Sequence, residues 1–183
     1  CTLCVKACPV NKNEKLGTAL EMKPIATQLD QQAAYDYAVA NVKEKPELIG
    51  VTAAIEDGAA AVAWVKEHLK EYAPIGKLFV GGHSAGGYLS MLLCFDGHYL
   101  AKHGIDSKTD VDGYIFASGQ PTTHFNVLKE NGTDPRVVMI DDRAPLYHVR
   151  GDGPPLQILC TDNDIRNRLV QTQLLVGTLE HFE

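Results

Sequence analysis

From Ile49 onward the chain alternates short, almost wholly apolar runs with segments whose apolar residues recur every three or four positions. In "AAIEDGAAAVAWVKEHLKEY", Ile55, Ala59, Val62, Ala63 and Leu69 fall on one helical face, leaving Glu56, Lys66, Glu67 and Lys70 to water. Pro74 and Gly76 close that helix. "KLFVGG", "VDGYIFASG" and "PLQILCT" have strand length and few polar positions, while "AGGYLSMLLCF" and "RNRLVQTQLLVGTLEHF" carry helical patterns. Apolar strands alternating with helices predict an α/β fold with a mostly parallel sheet covered on both faces. The stretch from Gln120 to Gly153, with Pro121, Pro135 and Pro145, breaks this rhythm and predicts an excursion over the carboxyl edge of the sheet. Residues 11–47 have another texture, rich in Lys, Glu and Gln, with one short helical pattern at "QLDQQAAYDYAVANV". The chain therefore divides into a segment 1–48 and a domain 49–183.

Composition narrows the partners. Seventeen basic against 23 acidic residues give a net charge of -6, and a pI near 5.6, which argues against nucleic acid and anionic membrane surfaces. No run approaches the roughly 18 apolar residues of a membrane span, and the start of the chain has no charged-then-apolar leader. These features predict a cytoplasmic protein that acts on a small molecule; an opening Cys1 in place of methionine leaves secretion open.

Five cysteines are unevenly placed, with Cys1, Cys4 and Cys8 inside one octet and Cys94 and Cys160 alone in apolar runs. The isolated pair reads as small buried apolar residues. Cys1-x-x-Cys4-x-x-x-Cys8-Pro9 matches part of the four-thiolate run that wraps a [4Fe–4S] cluster, and the three cysteines are candidate metal ligands. A zinc knuckle is the rival metal reading, but no second Cys or His pair follows at suitable spacing.

The most informative stretch is "FVGGHSAGGYLSML", Phe79 to Leu92. An apolar strand becomes a helix at Gly82-His83-Ser84-Ala85-Gly86, and the flanking glycines give room for a sharp turn that lifts the Ser84 hydroxyl clear of the sheet. At a helix start, free N–H groups and the helix dipole favour developing negative charge. Ser84 is thus a candidate nucleophile and the Ala85 N–H a candidate oxyanion donor. The competing reading makes Ser84 a simple N-cap.

Taken together, "AAIEDGAAAVAWVKEH", "KLFVGGHSAGGYLSMLL" and "ILCTDNDIRNR" resemble the α/β-hydrolase esterase and lipase family, in its bacterial branch with G-H-S-A-G-G at the elbow, over about residues 51–183. The resemblance implies hydrolysis of carboxylic esters through an acyl-serine intermediate, with no cofactor. It places the triad acid at Asp164, with Asp162 the alternative, because Thr161 stands where the pattern usually carries glycine. The Ser, Asp, His order of the family implies a base histidine beyond residue 183; His181 lies inside the last helical pattern, facing away from the elbow. A glycine-rich H-G-G loop belongs upstream in this family, and none precedes Gly81, so the domain is read as a partial α/β-hydrolase fold with impaired catalysis. His83 at the elbow, with Gln120 and His124 in the excursion, are candidate substrate-binding residues. Together with Thr122, Thr123 and Asn126 they suit a polar or sugar-bearing ester.

Residues 1–48 resemble the ferredoxin-like cluster domain of pyruvate:ferredoxin oxidoreductase and the linker after it. That resemblance implies an iron–sulfur electron-transfer module as the alternative function. A non-catalytic hydrolase-like scaffold is the third reading.

Overall fold

The computed structural model describes residues 50–71 and 76–182. Cys1, Cys4 and Cys8, the helical pattern before residue 48 and the helix stop at Pro74 lie outside the described residues.

The first helix, α1 (Val51–His68), runs into a 3-10 turn at Leu69–Glu71. Its predicted apolar stripe does the packing: Ile55 and Ala59 are buried and Val62 and Ala63 lie against the same core. Strand β1 (Phe79–His83) leads directly into α2 (Ala85–Phe95), after which come α3 (His98–Ala101) and β2 (Gly113–Ala117). The excursion holds α4 (Phe125–Glu130) and a 3-10 turn, Pro145–His148. It is tied down by Leu146 N–H donating to Pro121 O at 2.9 Å and Thr123 N–H donating to Met139 O at 2.9 Å. Strand β3 (Leu156–Leu159) and helix α5 (Arg168–His181) follow.

The strands are parallel and ordered β1-β2-β3, with β2 in the middle. The register aligns Val80 with Tyr114 and Leu156, and Gly82 with Phe116 and Ile158. Side chains alternate across a strand, so these positions share one face. On that face Tyr114 and Phe116 are fully buried beneath Tyr88, Met91 and Leu92 of α2, with Leu175 of α5 in the same cluster. Helix α2 has no polar stripe because it is the central helix, walled by β2, α1 and the excursion.

The structure corrects three expectations. The sheet is not covered on both faces among the described residues: α1, α2 and α5 pack on one side, and Phe79, Ile115 and Leu159 stay exposed on the other. Apolar composition alone does not reveal which face of a strand finds a partner. The last helix starts at Arg168, since Asn167 takes a left-handed φ of 69° that ends the preceding turn. Cys94 is buried as expected, its thiol pushed up to about 12 by burial, but Cys160 is only half-buried and its S–H points to Asp164 Oδ2 at 3.7 Å. Among the described residues no helix is long and apolar enough to cross a membrane.

The one-sided core sets unequal costs for aromatic truncation. Phe116→Ala should cost about 3–5 kcal/mol, read as the shift in a urea unfolding midpoint, whereas Phe79→Ala on the exposed face should stay within about 1 kcal/mol.

Candidate active site

The reversal from β1 into α2 is made by a single residue. Ser84 has φ 55° and ψ -116°, a combination that a residue with a Cβ adopts only when its surroundings impose it, at roughly 1–3 kcal/mol. Two contacts impose it here. The Ser84 N–H donates to Ala117 O at 2.9 Å, anchoring the turn to the tip of β2, and the Ser84 carbonyl accepts from Tyr88 N–H at 3.1 Å, opening the helix.

Glycine is required where the turn closes on itself. A Cβ on Gly82 would come within 2.3 Å of the Gly86 carbonyl carbon and oxygen, and one on Gly87 within 2.8 Å of Gly119 Cα. Gly86 itself faces open space, so Gly82 and Gly87 are the positions where the backbone approach is close. Gly87, which the five-residue motif leaves out, lets the first turn of α2 seat against the segment after β2.

The Ser84 hydroxyl is exposed and makes no capping bond, which removes the N-cap reading. Ala85 is exposed beside it as the first residue of α2, so its N–H is among those with no acceptor inside the helix.

Asp164 lies on the loop after β3, half-buried, with Oδ1 accepting from Ile165 N–H at 2.7 Å. A hydrogen bond with the Ser118 side chain, then the Ile165 N–H, hold its carboxyl below the usual carboxylate range, against a small opposing effect of burial. Asp162 is exposed. Ser118 joins the two halves of the site: it follows Ala117, whose carbonyl holds Ser84, and its N–H donates to Leu159 O at 2.7 Å, at the end of the strand that leads into the Asp164 loop. Its φ of 50° repeats the left-handed turn of Ser84 on the next strand. Nothing in the sequence singled out Ser118. Its one signal is a small polar residue before glycine at the tip of the middle strand.

The remaining predicted residues spread along the same edge. His83 is exposed at the tip of β1. Gln120 is buried, its amide donating to Thr122 Oγ1 at 3.2 Å and Thr123 O at 2.8 Å, so its donors serve the excursion. His124 is buried as the N-cap of α4, Nδ1 accepting from Asn126 N–H at 3.2 Å, with its ring 4.9 Å from that of Tyr88 and 4.2 Å from that of Phe125. It shares a cavity of about 250 Å³ with Ala85 and Tyr88. Burial, then the charges of Arg168 and Lys129, push its pKa down to about 4. His181, at the far end of α5, is exposed beside Phe182, which meets Gly151 ahead of β3, and so lies at the opposite edge of the sheet from Ser84. No hydrogen bond joins a described histidine to Ser84 or Asp164.

A parallel sheet whose strand tip turns through an exposed, left-handed serine into a buried helix, with an aspartate on the loop of a later strand, defines an α/β-hydrolase. The model of the alpha/beta hydrolase fold family matches residues 49–141, from the start of α1 through the elbow and into the excursion, and the chain belongs to that family. Among solved structures, esterase 2 of Thermogutta terrifontis, phosphoramylated by tabun, is similar with a TM-score of 0.58 and 21% identity. The match covers 73% of this chain and 50% of that one, so the chain spans half the length of this structural relative. No curated protein matches.

The buried, neutral His124 gives the site a pH signature. An unfolded chain takes up a proton on this histidine near pH 6.5, while the folded chain resists until about 4. Stability should therefore be whole above pH 6.5 and fall as pH drops through that window. His124→Asn keeps a capping acceptor and removes the titration, and urea midpoints measured between pH 7 and pH 4 should decline less steeply in that variant than in the parent.

Proposed function

We propose that the domain is a serine hydrolase of carboxylic esters. The observation that carries this reading is the exposed Ser84 at φ 55°, opening a buried helix without using its hydroxyl to cap it. Ser84 Oγ attacks the ester carbonyl carbon, forming a C–O bond while its proton passes to a base. The carbonyl oxygen becomes an oxyanion beside the Ala85 N–H and the positive end of α2. Collapse expels the alcohol with a proton and leaves an acyl-Ser84 ester. Water then adds to that ester, the carboxylic acid departs, and the hydroxyl is restored.

Asp164 serves as the charged third member, orienting a base histidine and stabilising its cationic form. The Ser118 side chain, then the Ile165 N–H that bonds its Oδ1, lower its pKa, which suits that role. The histidine itself is not among the described residues that contact Ser84 or Asp164. Of the candidate substrate contacts, His124 shares the 250 Å³ cavity beside the elbow with Ala85, the oxyanion-donor candidate, and that cavity has room for a short acyl or alcohol group. His83 is exposed at the tip of β1 and does not line that cavity, and Gln120 borders another cavity.

With 4-nitrophenyl acetate, Ser84→Ala should lower turnover by no more than about tenfold without an added base, because nucleophile and base act as a unit and no described histidine bonds to Ser84. Because no described histidine bonds to Ser84, imidazole added as a diffusible base should speed the parent enzyme beyond its effect on Ser84→Ala. Equal turnover by the two proteins, with and without imidazole, would remove Ser84 from the chemistry.

A further inference from the structure

Beside the acid loop lies a cavity of about 450 Å³, bordered by Lys129, Arg136, Arg166 and Arg168 and by no carboxylate. For a chain of net charge -6, that is an unusual concentration of cations. Two of the four are occupied. Arg136 forks onto Asp134 at 2.6 Å, and Lys129 Nζ sits 5.4 Å from the Phe125 ring centroid. Arg166 is exposed. Arg168 is only 3% exposed, and its buried Nη1 has no hydrogen-bond partner among the described residues.

A buried guanidinium with an unused donor is costly, and structures keep such a group when it is paired or when it awaits a ligand. Asp164 acts on Arg168 through space, without a hydrogen bond between them among the described residues. Arg168 is also the first residue of α5, a 14-residue helix whose N-cap Asn167 supplies no side-chain cap. Free helix N–H groups and the dipole therefore add to the positive field. Ile165, next to Asp164, borders the same cavity, as does Gln120 after the tip of β2. The cation cluster thus adjoins the acid of the catalytic edge.

We propose that this cavity holds a free carboxylate of the substrate, so that the hydrolase acts on half-esters of short dicarboxylic acids, with Arg168 as the principal anchor and Arg166 as its exposed second. The proposal rests on the reading of Ser84 as the nucleophile. A planar guanidinium presents paired N–H donors that match a carboxylate, and the volume fits a small acid of this kind. Neutral esters of the same length gain nothing from the cluster and leave Arg168 unpaired.

The test compares monoethyl glutarate with ethyl pentanoate, which lacks the second carboxylate, by pH-stat. Thermal unfolding with added glutarate is followed alongside. The parent should prefer the half-ester at least tenfold in kcat/KM, chiefly through KM, and glutarate should raise its Tm. Arg168→Met should lower kcat/KM for the half-ester at least tenfold more than for ethyl pentanoate and abolish the Tm rise. Arg166→Gln, at an exposed position that does not endanger folding, should cut the same preference by a smaller factor. Ser84→Ala should hydrolyse neither ester yet keep the Tm rise. If the parent itself hydrolyses neither, the nucleophile reading fails and the glutarate shift alone judges the anion site. Equal kcat/KM for the two esters, no Tm rise with glutarate, a larger rise with inorganic phosphate, or an Arg168→Met loss shared equally by both esters would each overturn the proposal.

Discussion

The backbone of Ser84 is the constraint around which the rest is arranged. A left-handed φ of 55° at a residue with a Cβ is unfavourable by itself, and it persists because β1, β2 and α2 all demand it. The Ala117 carbonyl fixes the turn from one side and the Tyr88 amide from the other. Gly82 lies so close to Gly86 that no side chain fits between strand and helix. Behind the turn, Tyr88, Met91 and Leu92 are locked into the core against Tyr114 and Phe116, so relaxing the serine would require lifting α2 from the sheet. The hydroxyl is therefore exposed by a strain that the hydrophobic core maintains.

From that point the site propagates along the strand tips by way of backbone bonds. Ser84 is held by Ala117, and Ser118 by Leu159, the last residue of the strand before the Asp164 loop. Two neighbouring strands thus end in left-handed serines, and the second is bonded to the strand that precedes the Asp164 loop. The charges on this edge are separated. The neutral His124 and Ala85 share one cavity, and the arginines border another together with Ile165, next to Asp164. An edge of this kind can treat the two ends of a substrate differently, with a reactive carbonyl at the elbow and an anion further along.

Much of this was legible in the chain because the relevant signals are local. Glycines two before and two after a serine, between a strand pattern and a helix pattern, leave little choice of geometry, and the three strands and their helices emerged at close to their predicted places. The loop after β3 followed from the end of an apolar run, while Asp164 was singled out on it only by the family resemblance. What escaped depends on pairing across the sheet. Ser118 matters because β2 lies between β1 and β3, and no window of sequence contains that order. Gly87 matters because Gly119 packs on it, 32 positions away. Arg168 looked like one more polar residue of an amphipathic helix, and only the fold shows it buried. The one-sided sheet was hidden for the same reason: an all-apolar strand reads alike whether one face is covered or two. Asn167 moved the helix start by adopting a left-handed angle that composition does not announce.

Covalent mapping tests Ser84 as the nucleophile without reference to any natural substrate. The full chain is treated with diethyl fluorophosphate, digested, and sequenced by tandem mass spectrometry. One diethylphosphoryl adduct is expected, on the Ser84 hydroxyl, and none in Ser84→Ala. An adduct on Ser118 or another residue with Ser84 unmodified, or an unmodified chain after prolonged treatment, would contradict it.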